Sequence, residues 1–402
     1  MEEKMKNEKN GVHDPTIIQE GNTYYLVSTD TTQPLTSGVP IRSSKDLIHW
    51  KFEKTALDGV PKEAQQWSHA KQLWAPDILK VGSEYRMYYS ASTFGSTRSM
   101  IGLATATDIL GDWQDQGEIV KTNAEIADNN AIDANICFDR KNNQWLVYGS
   151  FFGGIYLLTI DSHSGKPTQE GYGKKIAVRP QSVEGAIEGP FIFYHESTDC
   201  FYLFVSFDSL NDSYNIRVGR SKEIEGPYLD YWGHEMTDSI TDPNEVGTKM
   251  IGSYQVGEMS PLYGPGHNSI FVDKKTQQTF VVHHVRRKPF SADFFLQIRP
   301  LFWLEDGWPV VGISEYDGNI QQIKNVDKWS GEWEIVSFNA SSELVYSKKR
   351  NVTDLGILAL EGTYSLDLTK QAIVYQDKSG DLLMTGRDTR GQAIMGKKRI
   401  SE

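Results

Sequence analysis

Cysteine is scarce: the 402-residue chain has two, Cys137 and Cys200. Each stands in an apolar run, so the pair reads as buried thiols and excludes a disulfide scaffold. No run of Lys and Arg exceeds three residues, and 53 acidic residues against 41 basic ones give a formal charge of -12. That balance argues against a nucleic-acid groove or an anionic membrane surface as partner. No stretch approaches the roughly 18 apolar residues of a membrane-spanning helix. The opening, Met1 to Asn10, is polar and charged without an apolar segment, so no secretory signal is expected in this chain. Two placements stay open: cytoplasmic, or extracellular with a signal removed and a new Met1. Helical periodicity is also nearly missing, which leaves an all-β chain.

Aromatics and turn formers are abundant, with 10 Trp, 19 Tyr, 17 Phe, 35 Gly and 15 Pro. They are organised as a repeat. Five segments share one pattern: a polar residue, an apolar strand, a hydrophilic turn, and an aromatic or β-branched strand. These segments begin at Asp14, Asp77, Asp133, Glu188 and His267. A third strand usually follows, as in Ile41–Asp46, Ile101–Asp108 and Ile216–Ser221. Five such sheets predict a five-bladed β-propeller over residues 1–318. From residue 319 to 402 the repeat gives way to short alternating strands, which predict a small antiparallel β-barrel or sandwich.

The first strand of a propeller blade lines the central axis, so residues at equivalent starts converge at one mouth of the channel. Four carboxylates and a histidine are expected there. Four like charges in one pocket are costly to hold, and two chemistries use such a cluster: metal binding and glycoside hydrolysis. Hydrolysis needs one carboxylic acid to protonate the leaving oxygen and one carboxylate as base or nucleophile. A third acidic group can keep the acid protonated near neutral pH. Trp74 and Phe94 are placed to offer aromatic faces to a sugar.

These residues resemble a known family. Val12-His-Asp-Pro, Trp74-Ala-Pro-Asp, Ser92-Thr-Phe-Gly-Ser, Asn130-Ala-Ile-Asp, Gly149-Ser-Phe, Glu188-Gly-Pro and Gly264-Pro-Gly-His-Asn-Ser are similar to motifs of family 43 glycoside hydrolases, nearest to endo-α-1,5-L-arabinanases. The resemblance covers residues from about 11 to 312. It implies an inverting enzyme with Asp14 as general base, Glu188 as general acid and Asp133 raising the pKa of Glu188. It also implies that Asp77, Asn130, Phe94, Gly95, Ser150 and Phe151 contact or support the substrate, with Trp74 and Phe152 beside them. Two positions depart from the pattern: Ala134 stands where a proline is usual, and Phe152 where a tryptophan is usual. The implied substrate is arabinan or its oligosaccharides, acted on by a monomer. An exo-acting arabinofuranosidase or β-xylosidase, and a non-catalytic sugar-binding propeller, are the other readings. One mostly hydrated calcium ion in the channel is implied too, with His267 as its protein ligand. His283 and His284 alternate faces, so at most one can look inward.

Overall fold

A computed structural model describes residues 8–32, 35–341, 343–362 and 364–399. Each predicted repeat is a four-stranded antiparallel sheet, paired in chain order. The blades begin with strands Thr16–Glu20, Leu73–Val81, Asn135–Phe138, Ile187–His195 and Tyr263–Val272. Turns such as Glu20-Gly21-Asn22 close the first hairpins, with Gly21 in the left-handed region its turn demands. The short helix Lys62–Ser68 starts directly after Pro61, a residue that fixes φ and suits a helix start.

The apolar core lies between blades. Val27 and Ile41 of the first blade pack with Tyr89 and Met100 of the second. Leu103 of the second meets Leu146 and Leu158 of the third, and Leu26 and Phe280 join the first blade to the fifth. The ring is closed by the entering chain, where Gly11 and Leu296 donate to Phe294 and Lys9 carbonyls at 2.9 and 3.0 Å.

The remaining chain forms one eight-stranded antiparallel sheet between Gln321 and Lys398. Trp329, Trp333, Leu366 and Met384 fill its own core. Its other side shares a core with blades four and five through Phe338, Tyr375 and Met395, packed with Met250, Phe302 and Trp308. A parallel pair, Tyr254–Gln255 with Val345–Tyr346, joins the two bodies.

Candidate active site

The mouth of the channel is built from backbone that L-residues rarely adopt. Asp14, Ala75, Asp133, Gly189 and His267 have φ of 52°, 41°, 62°, 57° and 47°. Left-handed non-glycine residues cost of order 1–3 kcal/mol each and persist where surroundings enforce them. Here the enforcement comes from the second strand of the preceding blade. Thr29 Oγ1 accepts the Ala75 N–H at 2.7 Å, Ser90 Oγ that of Asp133 at 3.0 Å, and Ser206 Oγ that of His267 at 2.7 Å. His284 Nδ1 does the same for Asp14 at 3.4 Å. Ser150 follows the second strand of blade three and donates to the Glu188 side chain at 2.8 Å.

This geometry corrects the register of the ring. Ala75, not Asp77, occupies the mouth position of the second blade. Asp77 lies two residues further, inside the strand, where its Oδ2 accepts the Ile136 N–H at 2.7 Å and the Asn135 amide at 3.2 Å. It therefore clamps blade two to blade three and does not line the cleft. Asn135 repeats the clamp by accepting the Ile192 N–H at 3.0 Å. Burial raises the Asp77 carboxyl to about 6, against the hydrogen bonds from Ile136 and Asn135.

The other site residues inferred from the sequence converge on one cleft of about 980 Å³: Asp14, Trp74, Phe94, Gly95, Asn130, Asp133, Ser150, Phe151, Phe152, Glu188 and His267 all line it. Phe94 and Phe152 are exposed on its wall. Asn130 is buried and accepts Ser99 Oγ at 2.6 Å.

At the floor, Asp14 Oδ1 lies 2.8 Å from His13 Nδ1, 3.2 Å from His267 Nδ1 and 3.6 Å from His284 Nδ1. Its Oδ2 accepts Thr29 Oγ1 at 2.5 Å. Burial acts to raise this carboxyl, but the pull of His13, then of His267, outweighs it and holds Asp14 well below the usual carboxylate range. Asp133 faces the same ring nitrogen, its Oδ2 at 4.0 Å from His267 Nδ1 and accepting the Gly189 N–H at 3.0 Å. Burial, then the charges of Glu188 and Asp14, push Asp133 well above the ordinary range.

Glu188 is held from two sides: Tyr214 donates to Oε1 and Ser150 to Oε2, both at 2.8 Å. Tyr214 is fully buried, and a Cβ on Gly266 would sit 1.9 Å from its ring. The Gly264-Pro265-Gly266 turn thus makes room for this tyrosine at its last glycine, a different use from the close approach to the axis that the sequence suggests. His13, Thr29, Tyr214 and His284 were not legible as site residues. His13 carries only its adjacency to Asp14, and Tyr214 has no signal beyond the small residue it requires.

His13, Asp14 and His284 are a group whose ligand atoms lie within 4.8 Å of one another. His267, the expected metal ligand, directs Nδ1 at Asp14 and Asp133. His284 is buried, its Nδ1 accepts the Asp14 N–H, and its Nε2 has no hydrogen-bond partner among the described residues. Burial keeps its pKa well below the usual value, which favours the neutral ring, and with Nδ1 accepting from Asp14 the ring proton sits on Nε2.

Residues 9–309 match the sequence profile described as glycosyl hydrolases family 43. The chain belongs to this family of glycoside hydrolases. It is 35% identical over 367 residues, 81% of this chain and 75% of the relative, to an extracellular endo-α-(1→5)-L-arabinanase of Thermotoga petrophila. Over 426 aligned positions, 96% of this chain and 85% of the relative, it is 30% identical to extracellular endo-α-(1→5)-L-arabinanase 2 of Bacillus subtilis. The crystal structure of a family 43 glycoside hydrolase from Bacillus licheniformis superposes with a TM-score of 0.84 at 29% identity, covering 97% of this chain and 98% of that one. This family 43 chain therefore shares both its propeller and its C-terminal sheet with a solved relative.

Proposed function

We propose that this glycoside hydrolase cleaves internal α-1,5-L-arabinofuranosidic bonds of arabinan with inversion. The observation that carries the reading is the convergence of Asp14, Asp133 and Glu188 in one aromatic-walled cleft, together with the two endo-arabinanases to which the chain is similar. Asp14 is the general base: His13 and His267 beside it keep it ionised, ready to take a proton from water. Glu188 is the general acid, oriented by Tyr214 and Ser150 so that it meets the leaving oxygen. Asp133 and Glu188 interact so that ionising both is costly, which keeps one proton in the pair available to the leaving oxygen. Trp74, Phe94, Phe151 and Phe152 supply faces for arabinose rings. The similarity to extracellular enzymes favours action outside the cell, and a monomer suffices because every group of the site comes from one chain.

A channel cation is part of the proposal. The Asp14 carboxylate, with the His267 imidazole 3.2 Å from its Oδ1, is an oxygen and nitrogen donor set that suits a mostly hydrated calcium ion. Such an ion supplies positive charge beside the buried carboxylates. Prolonged chelation should then lower the melting temperature, because an ion bound only to the folded state stabilises it. Absence of metal in the purified protein with an unmoved melting curve removes the cation from the reading.

Product analysis tests the activity. Linear and debranched arabinan should lose viscosity early and yield mixed oligosaccharides, with aryl arabinofuranoside cleaved poorly. Release of a single small product from chain ends, viscosity lagging behind, means an exo enzyme.

A further inference from the structure

A second cavity, of about 450 Å³, lies at the seam between the fourth blade and the C-terminal sheet, lined among others by Arg217, Trp232, His234, Asn244, Lys249 and Arg390. It is separate from the carboxylate cleft. Its inner wall carries two buried cations that have no carboxylate partner among the described residues. Arg217, 1% exposed, donates Nε to Asn215 Oδ1 at 2.9 Å, Nη1 to the Asn244, Val246 and Gly247 carbonyls, and Nη2 to Ala340 O at 3.0 Å. Lys249, 6% exposed, donates Nζ to Asn339 O at 3.2 Å and Ser341 O at 2.5 Å. A guanidinium has five N–H donors and an ammonium three. One Nη2 proton and one Nζ proton therefore remain without an acceptor among the described residues.

Buried charges are ordinarily paired with opposite charge. Carbonyl dipoles and the more distant charge of Asp208 compensate this pair only in part: burial, and then the charge of Arg217, pull Lys249 down to about 7 against the attraction of Asp208. Arg217 is lowered to about 10, chiefly by burial. An anion in the cavity would relieve both.

The rim adds a second recognition element. Trp232 is 48% exposed, and its indole N–H is tied to Arg390 O at 3.0 Å, which fixes the ring at the cavity edge. Arg390 is itself held by Asp388, through Nε at 2.8 Å and Nη2 at 2.6 Å. His234 uses Nδ1 at 3.1 Å from Asp230 Oδ2, which leaves Nε2 for a ligand. A fixed aromatic face beside a cationic wall is the chemistry that recognises a carboxylated sugar: ring against indole, carboxylate against the cations.

We propose that this cavity is a binding site for an acidic sugar, a hexuronate unit, whose carboxylate is taken by Lys249 and Arg217 and whose ring stacks on Trp232. The site stands apart from the arabinan reading, since binding is measured without turnover and neither fails with the other.

The test is calorimetric titration of the full chain with galacturonate, its neutral counterpart galactose, and sodium phosphate, at constant ionic strength. Galacturonate should saturate one site and raise the melting temperature, with galactose giving no saturable signal. Trp232→Ala, at an exposed position away from the cleft, should weaken galacturonate by up to about tenfold, the loss of one stacking contact, with turnover of a short linear arabino-oligosaccharide unchanged. Lys249→Met should abolish binding. If that variant does not fold, Trp232→Ala and the galactose control still decide. Lack of saturable galacturonate binding overturns the proposal. So does equal binding of galactose, which makes the site a neutral-sugar one. Phosphate binding as tight as galacturonate, with both untouched by Trp232→Ala, reduces the cavity to an inorganic anion site and overturns the sugar assignment.

Discussion

Blades two and three open on structurally equivalent triplets that carry their acid at opposite ends. In Ala75-Pro76-Asp77 the acid is third, inside the strand, and holds the Ile136 N–H of the next blade. In Asp133-Ala134-Asn135 the acid is first, at φ 62°, and faces the cleft, and Asn135 makes the clamp to Ile192. A shift of two residues thus separates a carboxylate of chemistry from one of architecture. The left-handed residue at the mouth turns the chain between these positions, so the usual rule that residues two apart share a face does not carry across it.

The comparison is broken most directly at the cleft. Asp14→Ala and Glu188→Ala should each lower kcat by about 10²–10⁴, the contribution of one general acid or base, and leave folding intact. A substrate with a good leaving group should partly restore Glu188→Ala and not Asp14→Ala. Near-normal turnover of either variant on arabinan would falsify the assignment. Asp133→Asn is next in size. It removes the charge that keeps the proton of the acid pair, so the alkaline limb of the pH–rate profile should move to lower pH. A profile scaled down without displacement makes Asp133 a substrate-binding group.

Asp77 should behave in the opposite manner. Asp77→Ala leaves the buried Ile136 N–H and Asn135 amide without their acceptor and should cost about 1–3 kcal/mol, read as a lower melting temperature at nearly unchanged kcat. Its titration carries a sign. The folded carboxyl is raised to about 6, so the folded state binds the proton more tightly and this group withdraws stability as pH rises from about 4 to 6. Asp77→Asn should flatten that part of the melting profile, and an unaltered slope means another group titrates there. The smallest effect belongs to Phe94, 87% exposed on the cleft wall. Phe94→Ala should raise KM a few-fold, about one stacking contact, with no change in melting temperature; equal loss in kcat and stability places the ring in a structural role.

Much of this was legible in the chain, because a propeller repeats its local chemistry. Each hairpin announces itself by alternation and turn residues, and five of them in sequence leave few alternatives. The motifs around Asp14, Asp133 and Glu188 are contiguous, so their meaning survives without coordinates. Asp77 misled because its Trp-Ala-Pro-Asp setting mimics the start of a blade, and spacing alone does not reveal a residue with left-handed φ. Tyr214 and His284 were illegible as partners because each is remote along the chain from its carboxylate, Tyr214 beyond the second strand of the same blade and His284 across a blade boundary. Tyr214 lies 26 residues from Glu188, and His284 lies 270 from Asp14.

By itself the sequence determined the strand pattern, the count of blades, the change of architecture near residue 318 and the three carboxylates of the cleft. These follow from local rules: side-chain alternation, turn propensity, and short motifs. The tertiary structure alone decided that Asp77 is turned away from the cleft, which side chain holds each strained mouth residue, that three imidazoles gather on Asp14, and that two buried cations held by carbonyls meet an exposed indole at the domain seam. Closing the ring sets residues from remote parts of the chain a few ångströms apart. Burial and coulombic coupling at that range fix their charge states, and neither quantity is written in the order of residues.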